Sequence, residues 1–257
     1  MRYARGSIQL NPVDDGFLLR HIMLARYVSH EQLWQMVQSR WAGQARSTFN
    51  WRVDRLASHG LIARHRTAAS GHGTVYSLRR TGADYLASQG EFFAETTHGP
   101  NRSTDETGSM MHSLELADIH LRLHQAGVLV RWKWETEIRN QNGFTAIPYA
   151  KDYDAIVTVR TDASEVTFAL EYERMAKSRQ RYAAIRELME AERSVPTFVY
   201  LAAHYDLLAF IAGQFERART RVCFGLFTDL MHDALDMPVV TAGSGSKVRL
   251  RSILTSR

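Results

Sequence analysis

The sequence predicts a mixed α/β protein in two parts. A helical unit ending in a β-hairpin comes first, and a larger unit with a central sheet flanked by helices follows. Three observations predict this. Apolar residues recur at helical spacing through about residue 58, and two β-prone runs around a Gly-rich turn come next. Beyond Met110, β-prone runs mix with amphipathic segments, the pattern of a sheet covered by helices. At 257 residues and 45% hydrophobic, the chain is long enough for one large or two small cores.

The elements of the first part follow in order. Asp14 and Asp15 precede an apolar set at Phe17, Leu18, Ile22 and Leu24, with acids where a helix start favours them. Ser29 is an N-cap for His30–Gln38, which carries Leu33, Trp34 and Val37 on one face. A third helix is expected over about Ala45–Ser58. Phe49, Val53 and Leu56 give it an apolar stripe, and Gly60 suits its end. Leu61–Thr67 and Thr74–Arg79, joined through Gly71-His72-Gly73, read as a hairpin. A short helix, Gly82–Ser88, closes the unit.

Three helices followed by a hairpin is the order of a winged helix. In such a unit the second helix of the helix-turn-helix pair enters the major groove. With the core positions subtracted, Arg46, Ser47, Thr48, Asn50, Arg52 and Arg55 remain to face outward. Their chemistry suits base edges and phosphates. Arg64, Arg66, His65 and His72 fall on the hairpin, where phosphate or minor-groove contact is expected. Trp51 is expected to pack rather than to act as a DNA wedge, since large aromatic side chains usually bury. Charge points the same way. Residues 1–98 hold 12 Arg, no Lys and 7 acids, and the remainder is balanced, so the whole surplus of +5 lies here. Double-stranded DNA is the partner these features imply, read by a homodimer.

Polar residues 96–108 read as a linker between domains at 1–95 and 109–257. The second domain is expected to begin with a helix over Met110–Gln125 and a strand over Val128–Arg139. Strands at Ala155–Val159, Thr167–Tyr172 and Pro196–Ala202 follow, with a last full one at Val222–Phe227 and a short final strand after the Gly/Ser-rich stretch Ala242–Ser246. Helices are expected at Ala176–Ala191 and Tyr205–Phe215. Acids gather on these strands: Glu135 and Glu137 on the first, Asp152 and Asp154 before the second, Glu171 and Glu173 ending the third. Glu171 and Glu173, at i and i+2, share a face and could share a site with Asp154. Carboxylates held together can bind a hard cation such as Mg²⁺, which can activate water. The competing reading is ion pairing with Arg174, Arg179 or Arg181. Lys177, Arg179, Arg181 and Arg186 could also form a second phosphate-contacting surface, or simply a solvated helix face.

The strings LLRHIMLARYVSHEQL, MHSLELADIHLRL, WETEIR, YDAIV and ALEYERMAKSRQRY, in that order, resemble the replication-relaxation family of plasmid and mobile-element proteins. The resemblance runs over most of residues 15–215 and implies a winged helix followed by a domain of nuclease-like fold. More widely, the second domain resembles the PD-(D/E)XK nuclease superfamily, with Asp154 as the first acid and Glu171 as the second. That resemblance implies a Mg²⁺-dependent endonuclease using Asp154 and Glu171 as metal ligands, with Glu173 and Lys177 in the site. The chain departs from the pattern at one point: the usual Glu-x-Lys is Glu171-x-Glu173, and the nearest lysine is Lys177.

Other chemistries are poorly supported. One cysteine, Cys223, permits neither an intrachain disulfide nor a thiolate cluster. His120 and His124 stand at i, i+4 without a third ligand in a recognised pattern. No apolar run of about 18 residues and no secretory leader is seen, so a cytoplasmic protein without a membrane partner is expected. The leading reading is a DNA-binding protein of a mobile element acting in replication, mobilisation or transcriptional control, with replication or mobilisation proteins as partners. The alternatives are the endonuclease and a protein-interaction adaptor.

Overall fold

A computed structural model describes residues 9–38, 41, 43, 45–66, 71–91 and 106–255. The chain divides into two compact units, Met1–Ala117 and Asp118–Arg257. In the first, α1 (Asp15–Ala25), β1 (Val28–Ser29), α2 (His30–Gln38) and α3 (Arg46–Ser58) precede β2 (Ile62–Arg66), β3 (Thr74–Leu78) and α4 (Arg80–Ser88). The next helix, α5 (Glu106–Gln125), carries the division between the units within its length.

Ser29 caps α2 in a reciprocal box. Its hydroxyl accepts from the Gln32 amide at 3.2 Å, and the Gln32 side chain accepts from the Ser29 amide at 3.0 Å. Helix α3 buries Phe49, Val53 and Leu56, the expected stripe. Each such burial contributes roughly 1.5–3 kcal/mol. The chain leaves α3 through Gly60 at φ 77°, a left-handed turn that favours glycine. Strands β2 and β3 pair antiparallel from Ile62↔Leu78 to Arg66↔Thr74, and β1 joins the other edge of β3. The core of this unit takes Leu18, Leu19, Ile22, Leu33, Val37, Phe49 and Val75, all at or near zero exposure. Tyr27 and Val75 pack with Met110 and Leu114 of α5, and the Gln32 side-chain Nε2 donates to the Leu114 carbonyl at 2.8 Å. The expected linker lies outside the described residues from 96 to 105. Its last three positions, Glu106–Gly108, belong to α5 instead.

The second unit is built on a seven-stranded sheet of order β10-β9-β8-β7-β6-β5-β4. The strands are β4 (Leu129–Trp134), β5 (Ala155–Arg160), β6 (Glu165–Glu173), β7 (Thr197–Ala202), β8 (Arg221–Leu226), β9 (Pro238–Thr241) and β10 (Lys247–Arg249). The helices are α6 (Glu135–Phe144), α7 (Arg179–Ala191), α8 (Tyr205–Gln214), α9 (Phe227–Asp233) and α10 (Leu250–Thr255). β6, β7 and β8 run parallel, linked through α7 and α8, and the other pairs are antiparallel. Both faces of the central strands are buried. Ala169, Phe198, Tyr200, Val222 and Phe224 pack with Tyr182, Ile185 and Met189 of α7 and with Leu207 and Ile211 of α8. Residues of the opposite parity, Leu170, Tyr172, Val199, Leu201 and Cys223, are equally inaccessible, and Tyr172 meets Phe227 of α9 at a ring separation of 5.4 Å. Both-sided cover explains why these strands read as continuous apolar runs.

Three expectations are corrected. The strand expected over Val128–Arg139 stops at Trp134, and Glu135 and Glu137 begin α6. Glu137 turns back to accept from the Trp134 amide at 2.9 Å, satisfying a donor that a helix start leaves open. The helix expected from Ala176 starts at Arg179, with the Ser178 hydroxyl accepting from the Arg181 amide at 3.3 Å, so Lys177 lies before the helix. The strand through Val222 is not the last full one: α9 and β9 follow it.

Candidate functional site

Two places hold the residues singled out from the sequence: the outer side of α3 with the hairpin, and a cleft in the second unit. On α3, Arg46, Ser47 and Asn50 are exposed and Thr48 is half-buried. The Asn50 Oδ1 meets His30 Nε2 at 3.0 Å. Arg46 pairs with Glu31, its guanidinium 5.8 Å from the centre of the Trp34 ring. That hydrogen bond holds the Glu31 carboxyl below its usual range, with burial and the Gln35 amide as smaller influences. Arg64 and Arg66 are exposed on β2, and Arg64 pairs with Asp54. His72 is half-buried at the turn, between Gly71 and Gly73.

Arg52 and Arg55 do not face outward. Both turn inward to the start of α1. Arg52 donates to Asp14 at 2.7 Å and to Asp15 at 3.2 Å, and Arg55 pairs with Asp15. Asp15 is fully buried, and the two arginine side chains are only 15% and 14% exposed. They are structural cations that complete a buried acid. Trp51 reverses its expectation too: it is 46% exposed, with the Arg55 guanidinium 4.7 Å from its ring centre.

In the second unit, Asp154 stands immediately before β5. The register Ala155↔Leu170 puts Asp154 opposite Glu171, on the same face as Glu171 and Glu173. The Asp154 Oδ2 accepts from the Tyr172 amide at 2.7 Å. Glu171 pairs with Lys151, whose ammonium also lies 4.8 Å from the Tyr153 ring centre. Glu173 pairs with Lys177 and accepts from the Tyr200 hydroxyl at 3.3 Å. Lys151, Asp152, Asp154, Glu171 and Lys177 line one cleft of about 500 Å³ against Arg181, Ile185 and Leu188 of α7. Of the cations proposed as a second phosphate surface, Arg179 and Arg181 are exposed, whereas Arg186 donates to the Gln214 carbonyl at 3.1 Å.

Burial governs the electrostatics of the cleft. Glu171, 3% exposed, has its carboxyl pushed up to about 7 by burial, against the pull of Lys151, with Asp154 adding to the rise. Glu173 is raised by burial against Lys177. Burial opposes the charge on Lys177, but Glu173, Glu171 and Asp154 outweigh it and raise its pKa. Two ammonium groups thus stand among three carboxylates. A hard cation needs several oxygen ligands at once. Among the described residues no three His, Cys, Asp or Glu side chains converge to hold a metal ion. Among the described residues, protein side chains alone thus form no cation cage here. His120 packs on Trp132 and Trp134, each at a ring separation of 5.3 Å.

Sequence reasoning missed Lys151 and Tyr200. Lys151 stands three residues before Asp154 in KDYD, which marks it as a neighbour of the site but does not give its pairing with Glu171. Tyr200 had no signal, because only the register Glu171↔Tyr200 brings it there.

Residues 19–196 match the sequence pattern described as replication-relaxation. The chain belongs to the replication-relaxation family. No curated protein matches it. Among solved structures it is similar to the restriction endonuclease FokI, at 10% identity and a TM-score of 0.30, over 84% of this chain and 42% of that one. The chain thus spans less than half the length of that enzyme, and a likeness this distant carries no argument about activity. Within this family member, the match takes in both α3 and the Asp154–Glu171 pair. Among the described residues no helix is long and apolar enough to cross a membrane.

Proposed function

We propose that this chain is a DNA-binding protein of a plasmid or other mobile element, acting in its replication, mobilisation or transcriptional control. The first unit serves as a winged helix that reads duplex DNA in the cytoplasm. The second serves dimerisation or the recruitment of replication or mobilisation proteins. One observation carries the reading. α3 buries Phe49, Val53 and Leu56 on one side and holds Arg46, Ser47 and Asn50 in solvent on the other. That arrangement suits a helix that enters a groove by its N-terminal half. Arg64 and Arg66 on the hairpin add cations for the flanking backbone.

The test is the salt dependence of duplex binding, followed by fluorescence anisotropy. Arg46→Ala with Arg66→Ala should weaken binding and flatten the log–log salt slope by roughly one to two units, about one for each phosphate that is no longer neutralised. An unchanged slope and affinity would remove α3 and the hairpin as the reader.

A Mg²⁺-dependent endonuclease is the second reading. It is favoured by the presence of the Lys177 ammonium in the same cleft as Asp154 and Glu171. It ranks below the first because the carboxylates already carry internal cations.

A further inference from the structure

We propose that Trp51 is the apolar base contact of α3, packing its indole against the 5-methyl group of a thymine in the major groove. This rests on the DNA-reading role proposed above and assigns a specificity-determining residue to it. Ser47, Asn50, Trp51 and Asp54 stand at i, i+3, i+4 and i+7, so they form a single stripe on α3, and all four are exposed. The stripe lies away from the buried Phe49, Val53 and Leu56.

An indole is among the largest apolar groups a chain possesses, and leaving 46% of it in water forgoes burial that a packing residue would take. Nor is it loosely held. Arg55 stacks 4.7 Å from the ring centre, and Arg55 is itself fixed by the fully buried Asp15. The ring thus already has a packing partner on one face, and a side chain held in this way loses less freedom on making a contact. Arg55 is a positioning residue here, acting through Trp51.

The occupant follows from the surroundings. Arg46, paired with Glu31, and Arg64, paired with Asp54 of the stripe, are exposed, as is Arg66 on β2, and residues 1–98 hold the whole surplus of +5, which suits a polyanion. The apolar landmark in the major groove is the thymine methyl, and a side-chain amide pairs with adenine. Asn50 is the neighbour of Trp51 on the stripe; its Oδ1 meets His30 Nε2 at 3.0 Å, and its Nδ2 can donate to adenine N7, so the two residues together favour A·T pairs.

The experiment uses the full chain and a duplex enriched from random sequence by the wild type. Each thymine is replaced in turn by deoxyuridine, which removes only the methyl group. At one or two positions the wild type should lose about three- to fivefold in affinity, the scale of one buried methyl. Trp51→Ala, melting as the wild type does, should bind the thymine duplex correspondingly more weakly and be indifferent to the replacement. Full thymine discrimination in Trp51→Ala overturns the assignment. So does a variant that changes only from dimer to monomer in sedimentation, which would make Trp51 a self-association contact. Arg46→Ala separates the two levels. If it weakens binding while Trp51→Ala changes nothing, only the Trp51 assignment falls. If the wild type binds no duplex at low salt, the DNA-reading role falls as well.

Discussion

Arg52 reaches back 38 positions to donate a 2.7 Å hydrogen bond to the carboxylate of Asp14. With the bonds from Arg52 and Arg55 to Asp15, this joins the middle of α3 to the first turn of α1. The angle at which α3 presents its outer stripe is therefore set by a buried charge cluster as well as by apolar packing. Removing one partner of a buried ion pair strands the other in a poor solvent.

Asp15→Ala should destabilise the protein by about 3–5 kcal/mol, because Arg55 loses its buried carboxylate and Arg52 keeps only Asp14. Arg46→Ala, on the exposed side of the same helix, should stay within about 0.5 kcal/mol. Urea unfolding followed by circular dichroism measures both. Equal effects would mean that the inner cluster contributes no more than a surface pair.

Gly82 gives a second stability prediction, in which two rules conflict. Gly82 lies within α4, where alanine is the better helix former by about 1 kcal/mol. A Cβ there would stand 2.5 Å from the Leu61 carbonyl oxygen and 2.7 Å from Leu78 Cδ1. That oxygen already accepts from the Arg79 amide at 2.9 Å, so it cannot retreat freely. Overpacking should win, and Gly82→Ala should lower stability by about 1–3 kcal/mol. A higher melting temperature for the variant would show that the neighbouring groups yield at little cost.

These two sites show where sequence reasoning holds and where it stops. The Ser29 cap and the Phe49–Val53–Leu56 stripe depend on local spacing, and both were legible. The direction of Arg52 and Arg55 was not. They flank the buried stripe, and helical periodicity does not say that two acids from α1 wait beside it. Glu135 and Glu137 were misplaced because Val128–Arg139 alternates like a strand throughout, while the Glu137–Trp134 bond that starts α6 is invisible to alternation. In the cleft, the facing of Asp154 and Glu171 could be expected from strand parity. The pairing of Lys151 with Glu171 spans 20 residues and a sheet register, and spacing alone does not reveal it.

The buried Glu171 makes stability depend on pH in a stated direction. Its carboxyl is raised from 4.5 to about 7 by burial, with Lys151 opposing and Asp154 assisting. Between these values the folded chain holds more protons than the unfolded one. This group's contribution is thus complete below pH about 4.5 and is lost as pH rises through about 7. Glu173, raised by burial, acts in the same direction. Glu171→Gln should flatten the fall in the urea midpoint across that window. A variant with the same pH slope as the wild type would remove Glu171 as its source.

The same cleft separates a scaffold from an enzyme. Lys177 keeps its charge because Glu173, Glu171 and Asp154 together outweigh its burial, so its ammonium occupies the place in the charge balance that a cation would take. Millimolar Mg²⁺ or Mn²⁺ should therefore neither raise the melting temperature of the wild type nor relax supercoiled plasmid. Lys177→Met removes one of the two internal cations and leaves the buried Glu173 with the Tyr200 hydroxyl but without its ammonium. That variant should melt lower, and Mn²⁺ should recover part of the loss if the carboxylates can then take an ion. Metal-dependent nicking by the wild type, abolished in Asp154→Ala, would reverse the order of the two readings. Lys177 would then be a group that moves off Glu173 to meet a phosphate.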